Sequence, residues 1–368
     1  MSTEEAMVPA DAGDAGTPTI QRRRLWPWWL AGGALVALAA AVLAALTVHV
    51  PYYEFRPGSA RPVAGLVTSS DVDVYPPESD IAYTTVSLRH STIASYLQAM
   101  IDDDIEIVED DVVLGDRSES ENRQFNLQLM DTSKQDAIRV ALVALGYDVP
   151  ITISGIVVVG VVEDSAADGV LEVGDTILSI DGETLGVASD VARIMDPKKP
   201  GDVVTLEVEP PDRAATRSVE VTLVAAGDEP ERGIIGIQLQ PRDPNYEYPF
   251  DIDIDSGNVG GPSAGLAFSL GVIDVLTPGE LTGGLRVAVT GTIDRNGNVG
   301  NVGGVVQKTA VVTGAGYDVF LVPRDEVDEV RARAGDNLQV IPVGTLAEAL
   351  DALASLGGSG FETAAAPG

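Results

Sequence analysis

From Leu25 to Val50 the chain carries no charged side chain, and the next one is Glu54. The apolar stretch Leu30–Val48 measures about 28 Å as a helix at ~1.5 Å per residue, enough to cross the hydrocarbon core of a bilayer. Trp26, Trp28 and Trp29 stand at one end of the run and Tyr52 and Tyr53 at the other, where amphipathic rings favour the membrane–water boundary. Arg22, Arg23 and Arg24 precede it, so residues 1–24 are expected in the cytoplasm as a disordered tail and everything after residue 50 outside. A cleaved signal peptide would need a small-x-small site after the apolar run. The run instead closes Leu-Thr-Val-His-Val-Pro, which favours an uncleaved single-pass anchor over residues 25–50 in the cell membrane.

Composition narrows the chemistry. A chain of 368 residues, 45% apolar and 21% charged, is long and apolar enough for two or three folded domains. Its 23 Lys and Arg against 56 Asp and Glu leave a net charge of −33, which repels phosphate backbones and argues against a nucleic-acid partner. Cysteine is absent, which removes thiol catalysis, iron–sulfur clusters, cysteine zinc sites and disulfides. The histidines are His49, inside the apolar run, and His90, so a Ser-His-Asp triad would depend on His90 and a histidine zinc site has little to build on. Neither a metal nor a cofactor is expected. Lysine is scarce, at Lys134, Lys198, Lys199 and Lys308, so each one is worth weighing.

Past the anchor the expected layout is multidomain, α+β and then α/β. Residues 51–150 form an extracytoplasmic stalk and a helical juxtamembrane region. Five prolines in 51–80 suggest an extended stalk, 81–89 has strand composition, and 91–101 and about 132–146 have helical spacing. The acid runs Asp102–Asp104 and Glu109–Asp111 are expected on a solvated surface. Over 151–228, β-branched runs alternate with turns, and 225–232 has linker composition. Residues 232–355 alternate strands, Gly-rich turns and apolar helices, and 356–368 is a Gly, Ser, Ala and Pro tail.

The segment Ser165-Ala-Ala-Asp-Gly-Val-Leu-Glu-Val-Gly-Asp-Thr-Ile-Leu-Ser-Ile-Asp-Gly182 resembles the PDZ signature. Gly174 and Gly182 permit the turns, and Ile177 and Ile180 would face the core of a small β-barrel. The resemblance implies a module that binds an extended peptide by strand addition at an open edge. Ser154–Ile156 and Gly233–Gly236 are both candidates for the loop that receives the peptide carboxylate.

Two further motifs carry chemistry. Gly260-Gly-Pro-Ser-Ala-Gly-Leu follows a segment with Ile252 and Ile254 on one side and Asp251, Asp253 and Asp255 on the other. Ser263 then opens an apolar helix. Its bland role is an N-cap. Its functional role is a nucleophile at a helix start, where unpaired N–H groups suit an oxyanion. In Thr290-Gly-Thr-Ile-Asp-Arg-Asn-Gly-Asn-Val-Gly-Asn-Val-Gly-Gly-Val-Val-Gln-Lys308, Asn296-Gly297 predicts a hairpin and Lys308 falls in the first turn of the next helix. Gln307 stands where a P-loop requires glycine, which excludes that motif. Ser256 and Pro262 stand where an EF-hand requires Gly and Glu, which excludes calcium at Asp251–Asp255.

Together, Gly-Pro-Ser263-Ala-Gly, Thr290-Gly-x-Ile and Gly-Gly-x-x-x-Lys308 resemble the proteolytic domain of Lon-type proteases. The layout is similar to that of the membrane-anchored, PDZ-containing Lon-like proteases of bacteria. Tyr52-x-x-x-x-Pro-Gly-Ser-Ala60, Tyr83-Thr-Thr-Val86 and Met130-x-x-Ser133-x-x-x-Ala137 match that branch, over about residues 50–350. The resemblance implies a PDZ domain over 151–228 and a Lon-type α/β proteolytic domain over 232–355. Ser263 would be the nucleophile, Lys308 the general base, Thr290 the holder of the amine, and the N–H groups of Ser263 and Ala264 the oxyanion donors. Relatives with Asp two residues before the proline have their counterpart here in Gly260, so an acid there is lacking. A Walker motif is absent, which implies a serine endopeptidase that works without ATP on exported or membrane-associated proteins and peptides. Ring assembly of identical chains is implied by resemblance alone. The competing reading is a catalytically silent PDZ and Lon-like scaffold for exported C-termini. A Ser-Lys signal peptidase would carry different motifs.

Overall fold

The computed structural model describes residues 26–75, 81–162, 165–212, 215–226 and 229–360. The expected cytoplasmic tail at 1–24 and the last eight residues lie outside them. Helix α1, Trp26–Thr47, is apolar throughout, with none of its hydrophobic span Trp28–Thr47 buried. Among the described residues it is the one helix long and apolar enough to cross a membrane.

The strand β1, His49–Pro62, follows at once. This corrects the expected stalk. β1 lies inside a six-stranded sheet, paired antiparallel with β2, Ile81–Thr92, on one side and β3, Glu106–Glu109, on the other. Proline lacks the N–H that a ladder needs, so it is tolerated in sheets at irregularities. Pro51 and Pro57 sit at the two register shifts of the β1–β2 pairing. Helix α2, Ile93–Ala99, follows β2, and the short α3, Asp110–Leu114, follows β3. Helix α4 runs Glu119–Ala144, starting well before the expected Thr132. Its overlooked start signal is Ser118-x-x-Glu121, a capping box in which each side chain bonds the other residue's backbone N–H.

The second sheet runs β4, Ile156–Val161; β5, Thr176–Ile180; then α5, Asp190–Met195; β6, Val203–Glu209; β7, Arg217–Thr222; and β8, Ile237–Pro241. Its order is β7-β6-β5-β4-β8, with Glu183–Thr184 added beside β5. It is an open sheet with β7 and β8 at its edges, in place of the expected barrel. Val158, Ile177, Ile180, Val204, Leu206 and Val208 fill its core. The linker expected at 225–232 folds back as a hairpin, Val224–Ala225 pairing with Gly233–Ile234. The chain then re-enters this sheet as β8. The module's two ends meet where Asn245–Tyr246 pairs with Ile151–Thr152.

The rest of the chain returns to the first sheet. Helix α6, Gly265–Leu276, precedes β9, Val287–Val289; α7, Val305–Ala315, precedes β10, Val319–Pro323; α8, Val327–Ala334, precedes β11, Gln339–Val343; and α9, Leu346–Ser355, follows. The sheet order is β11-β10-β9-β2-β1-β3, parallel from β11 to β2. Side chains alternate across a strand. Accordingly Val287, Val289 and Leu321 pack under α4, α6 and α9, while Ala288, Phe320 and Val322 pack under α7 and α8. α6 is apolar nearly all round, Ser269 and Asp274 apart, because it is the central buried helix. The hairpin predicted at Asn296-Gly297 joins Thr292–Ile293 to Val299–Gly300. The tail expected from 356 begins folded: Gly358 and Ser359 donate to the carbonyls of Leu353 and Glu280.

Candidate active site

Ser263 lies in a loop held from below by α4. Gly261 N–H donates to the Asn126 carbonyl at 2.8 Å, and the Ser133 hydroxyl donates to the Pro262 carbonyl at 3.0 Å. Gly291 N–H donates to the Ser263 carbonyl at 3.0 Å. Gly265 must be glycine, since a Cβ there would lie 2.7 Å from Ser133 Oγ and 2.8 Å from Ile293 Cγ2. α6 starts at Gly265 with Ala264 as its cap residue and no side-chain cap bond. Ser263 therefore stands one residue before the cap, two before the helix, and is not the N-cap. Among the described residues its hydroxyl has no partner, and the N–H groups of Ser263 and Ala264 bond no backbone or side-chain acceptor.

Lys308 is the fourth residue of α7, which starts after Gly304 in the left-handed region at φ +67°. A Cβ on Gly304 would come within 2.8 Å of Val86 Cγ1, so glycine lets this helix start approach β2. The Lys308 side chain is 1% exposed, and its Nζ donates to Thr290 Oγ1 at 3.2 Å. Thr290 is itself fully buried just past β9. Burial disfavours the ammonium and lowers the Lys308 pKa to about 7, against a smaller upward pull from the Glu326 carboxylate. Glu326 is fixed by two contacts from Val302 N–H, at 3.1 and 3.2 Å.

Ser263 and Lys308 line one groove of about 930 Å³. No direct bond joins their side chains among the described residues; the Lys308 bond goes to Thr290. A smaller hollow of about 260 Å³, walled by Tyr83, Met130 and Val259, is also lined by Ser263. Thr84 Oγ1 in that hollow is buried with no partner among the described residues. His90 also lines the large groove, stacked between His49 at 5.1 Å and Tyr53 at 5.0 Å, with Nε2 3.2 Å from Asp110 Oδ2. Sequence reading missed Asn126 and Glu326 altogether. Ser133 stood in a quoted motif, but its bond to the Ser263 loop depends on helix packing. Among the described residues no cluster of three or more His, Asp or Glu could hold a metal ion.

In the second sheet β4 is paired on both sides, whereas β8 has one free edge. Of the two candidate loops, Gly233–Gly236 is the one that leads into the open edge strand.

Two stretches of the chain match known families. Residues 142–223 match the PDZ domain family model, and residues 245–355 match that of the Lon protease (S16) C-terminal proteolytic domain. The Lon protease of Clostridioides difficile (strain 630) is 33% identical over 94 residues, 25% of this chain and 12% of that protein. Lon protease 2 of Bacillus subtilis (strain 168) is 29% identical over 117 residues, 32% of this chain and 20% of that protein. The chain thus spans a fifth or less of the length of these relatives. The crystal structure of the PDZ domain of the SdrC-like protein from Listeria monocytogenes is 28% identical, with 24% of this chain and 90% of that one covered and a TM-score of 0.22. By the family matches, this chain carries a PDZ domain and a Lon-type C-terminal proteolytic domain.

Proposed function

We propose that the chain is a membrane-anchored serine endopeptidase that cleaves exported or membrane-associated polypeptides without ATP, using Ser263 and Lys308. The observation that carries this reading is the buried, hydrogen-bonded Lys308 amine, with its pKa lowered to about 7, in the groove that also holds the unengaged Ser263 hydroxyl. A lysine with the ordinary value near 10.5 would be charged at neutral pH and useless as a base. Lowered to about 7, it has a substantial neutral fraction.

In this mechanism Ser263 Oγ attacks the scissile carbonyl carbon and its proton passes to Lys308 Nζ. The oxyanion is held by the N–H groups of Ser263 and Ala264. The Lys308 ammonium then protonates the leaving amine as the C–N bond breaks. Water, deprotonated by Lys308, resolves the acyl ester to acid and free Ser263. Thr290 orients the amine. The contact between base and nucleophile closes when substrate is bound, as such contacts commonly do. The smaller hollow beside Ser263 suits an apolar side chain next to the scissile bond, with Thr84 offering a polar contact.

The reading puts α1 across the membrane with residues 1–24 in the cytoplasm, supported by Arg22–Arg24 and the apolar, uncovered helix. The PDZ domain presents substrate through strand addition at β8. The test is hydrolysis of a peptide by full-length protein. Ser263→Ala and Lys308→Arg should each lower it by at least ~1000-fold, the second because guanidinium stays protonated. Wild type should be labelled by a serine-acylating probe at Ser263, more rapidly as pH rises through about 7. A full-activity Lys308→Arg variant would move the base to His90, and no labelling at all would favour the silent scaffold.

A further inference from the structure

Helix α2 and the turn after it carry Ile93, Tyr96, Leu97 and Met100 at i, i+3, i+4 and i+7, followed by Ile101. This spacing makes one apolar face, which in a globular domain turns inward. Here it turns outward. No residue of α2 is buried, and Leu97, Met100 and Ile101 are 57%, 72% and 86% exposed. Ile101 is the most exposed large hydrophobic side chain among the described residues.

The position of this face says what covers it. Ile93 N–H donates at 3.2 Å to the carbonyl of Val48, the residue directly after α1, and α1 and α2 are in contact. The Tyr52 and Tyr96 rings lie 5.2 Å apart. A helix tied to the last turn of a membrane span lies in the interfacial layer, where tyrosines and amphipathic helices settle. Elsewhere on α2 the exposed Gln98 accepts from Arg56 at 3.2 Å.

We propose that the apolar face of α2, continued through Met100 and Ile101, is seated in the extracytoplasmic leaflet of the bilayer that α1 crosses. The proposal rests on the reading of α1 as a membrane span. The face itself holds no charge, and the nearest charges in sequence are the acids Asp102–Asp104, so the docking is driven by apolar burial and does not need anionic lipid. It also fixes where cleavage happens. Tyr53 and Phe55, which line the catalytic groove, lie four and six residues along β1 from His49. At ~3.3 Å per residue the groove wall is then at most about 13–20 Å from the point where α1 leaves the membrane. Membrane-proximal segments of tethered chains are the substrates such a groove reaches.

The chain has no cysteine, so single Cys substitutions can be labelled with a nitroxide without background. Full-length protein in nanodiscs of neutral phosphatidylcholine would carry the label at Leu97→Cys or Ile101→Cys. Leu38→Cys in α1 serves as the lipid reference and Val203→Cys on the PDZ domain as the water reference. The expected result is high collision with oxygen and low collision with a water-soluble nickel chelate at both test positions, as in α1 but shallower, and unchanged by salt. Nickel access equal to that of Val203→Cys would overturn the proposal. Poor access to both probes with spin–spin broadening would also overturn it, because a second copy of the chain would then cover the face. If the Leu38→Cys label itself reads as aqueous, the span reading has failed and takes the proposal with it, an outcome distinct from failure of the α2 face alone.

Discussion

The two sheets of this molecule are assembled in opposite ways. Every strand of the PDZ sheet comes from one stretch, β4 to β8, residues 156–241. The first sheet takes β1, β2 and β3 from before that stretch and β9, β10 and β11 from after it. The PDZ domain is therefore an insertion whose two ends leave side by side, paired at Ile151–Thr152 and Asn245–Tyr246. A contiguous module can hold its own core, as Val204, Leu206 and Val208 do with Ile177 and Ile180. The unit built on the first sheet cannot be cut out as one segment, because α6 packs on α4 and on Tyr83 of β2, which lie on the far side of the insertion.

The strongest way to break this comparison is to express the halves. Residues 151–241 alone should melt cooperatively by circular dichroism. Residues 245–355 alone, the stretch that matches the Lon family model, should show no cooperative transition and no protected amides. A folded 245–355 fragment would mean that β1–β3 and α4 are dispensable.

Excision is the next largest effect. Replacing residues 153–241 by a short Gly-Ser turn between the paired ends should leave peptide hydrolysis within a few-fold of wild type. Turnover of a protein substrate should fall much further. Equal loss on both substrates would make the PDZ domain a structural part of the catalytic unit.

The buried lysine offers a test by stability. Its folded pKa, about 7, lies below the ordinary value of 10.5, so between those two pH values the unfolded chain binds more protons and stability rises with pH. Below about 7 the full penalty of a buried ammonium is present. Lys308→Met should therefore stabilise the protein at pH 6 by up to ~4–5 kcal/mol, at 1.36 kcal/mol per unit, and the gain should vanish above pH 10.5. Denaturant titrations at pH 6 and pH 10.5 check it, and a gain that does not change with pH would refute the lowered pKa.

The smallest expected effect is at Ser133. Ser133→Ala removes the bond to the Pro262 carbonyl, worth ~1 kcal/mol, and loosens the loop that carries Ser263. The turnover number should fall several-fold with KM nearly unchanged. A loss confined to KM would mean that Ser133 acts on substrate binding.

Much of the candidate site was legible because its residues are local signals. Gly-Pro-Ser263-Ala-Gly and Gly-Gly-x-x-x-Lys308 announce two helix starts whose glycines allow close approach, and both starts are found in one groove. Asn126 and Glu326 were not legible, because each acts across a distance in sequence that no motif spans. α4 was read 13 residues short because its first half is polar and half-exposed, which hides the periodicity, although its capping box at Ser118 and Glu121 was there to be found.

The amino-acid sequence by itself determined what depends on neighbours along the chain: an uncharged run long enough to cross a bilayer, the PDZ turns, and a serine and a lysine at glycine-flanked helix starts. Tertiary structure decided the rest. It made a strand of the proline-rich segment 49–62, because sheet pairing tolerates proline at a register shift and local composition cannot reveal a partner 30 residues away. It freed the Ser263 hydroxyl from capping by starting α6 two residues later. It also lowered the Lys308 pKa, since the charge of an amine depends on the atoms packed around it, and those come from helices and strands throughout the fold.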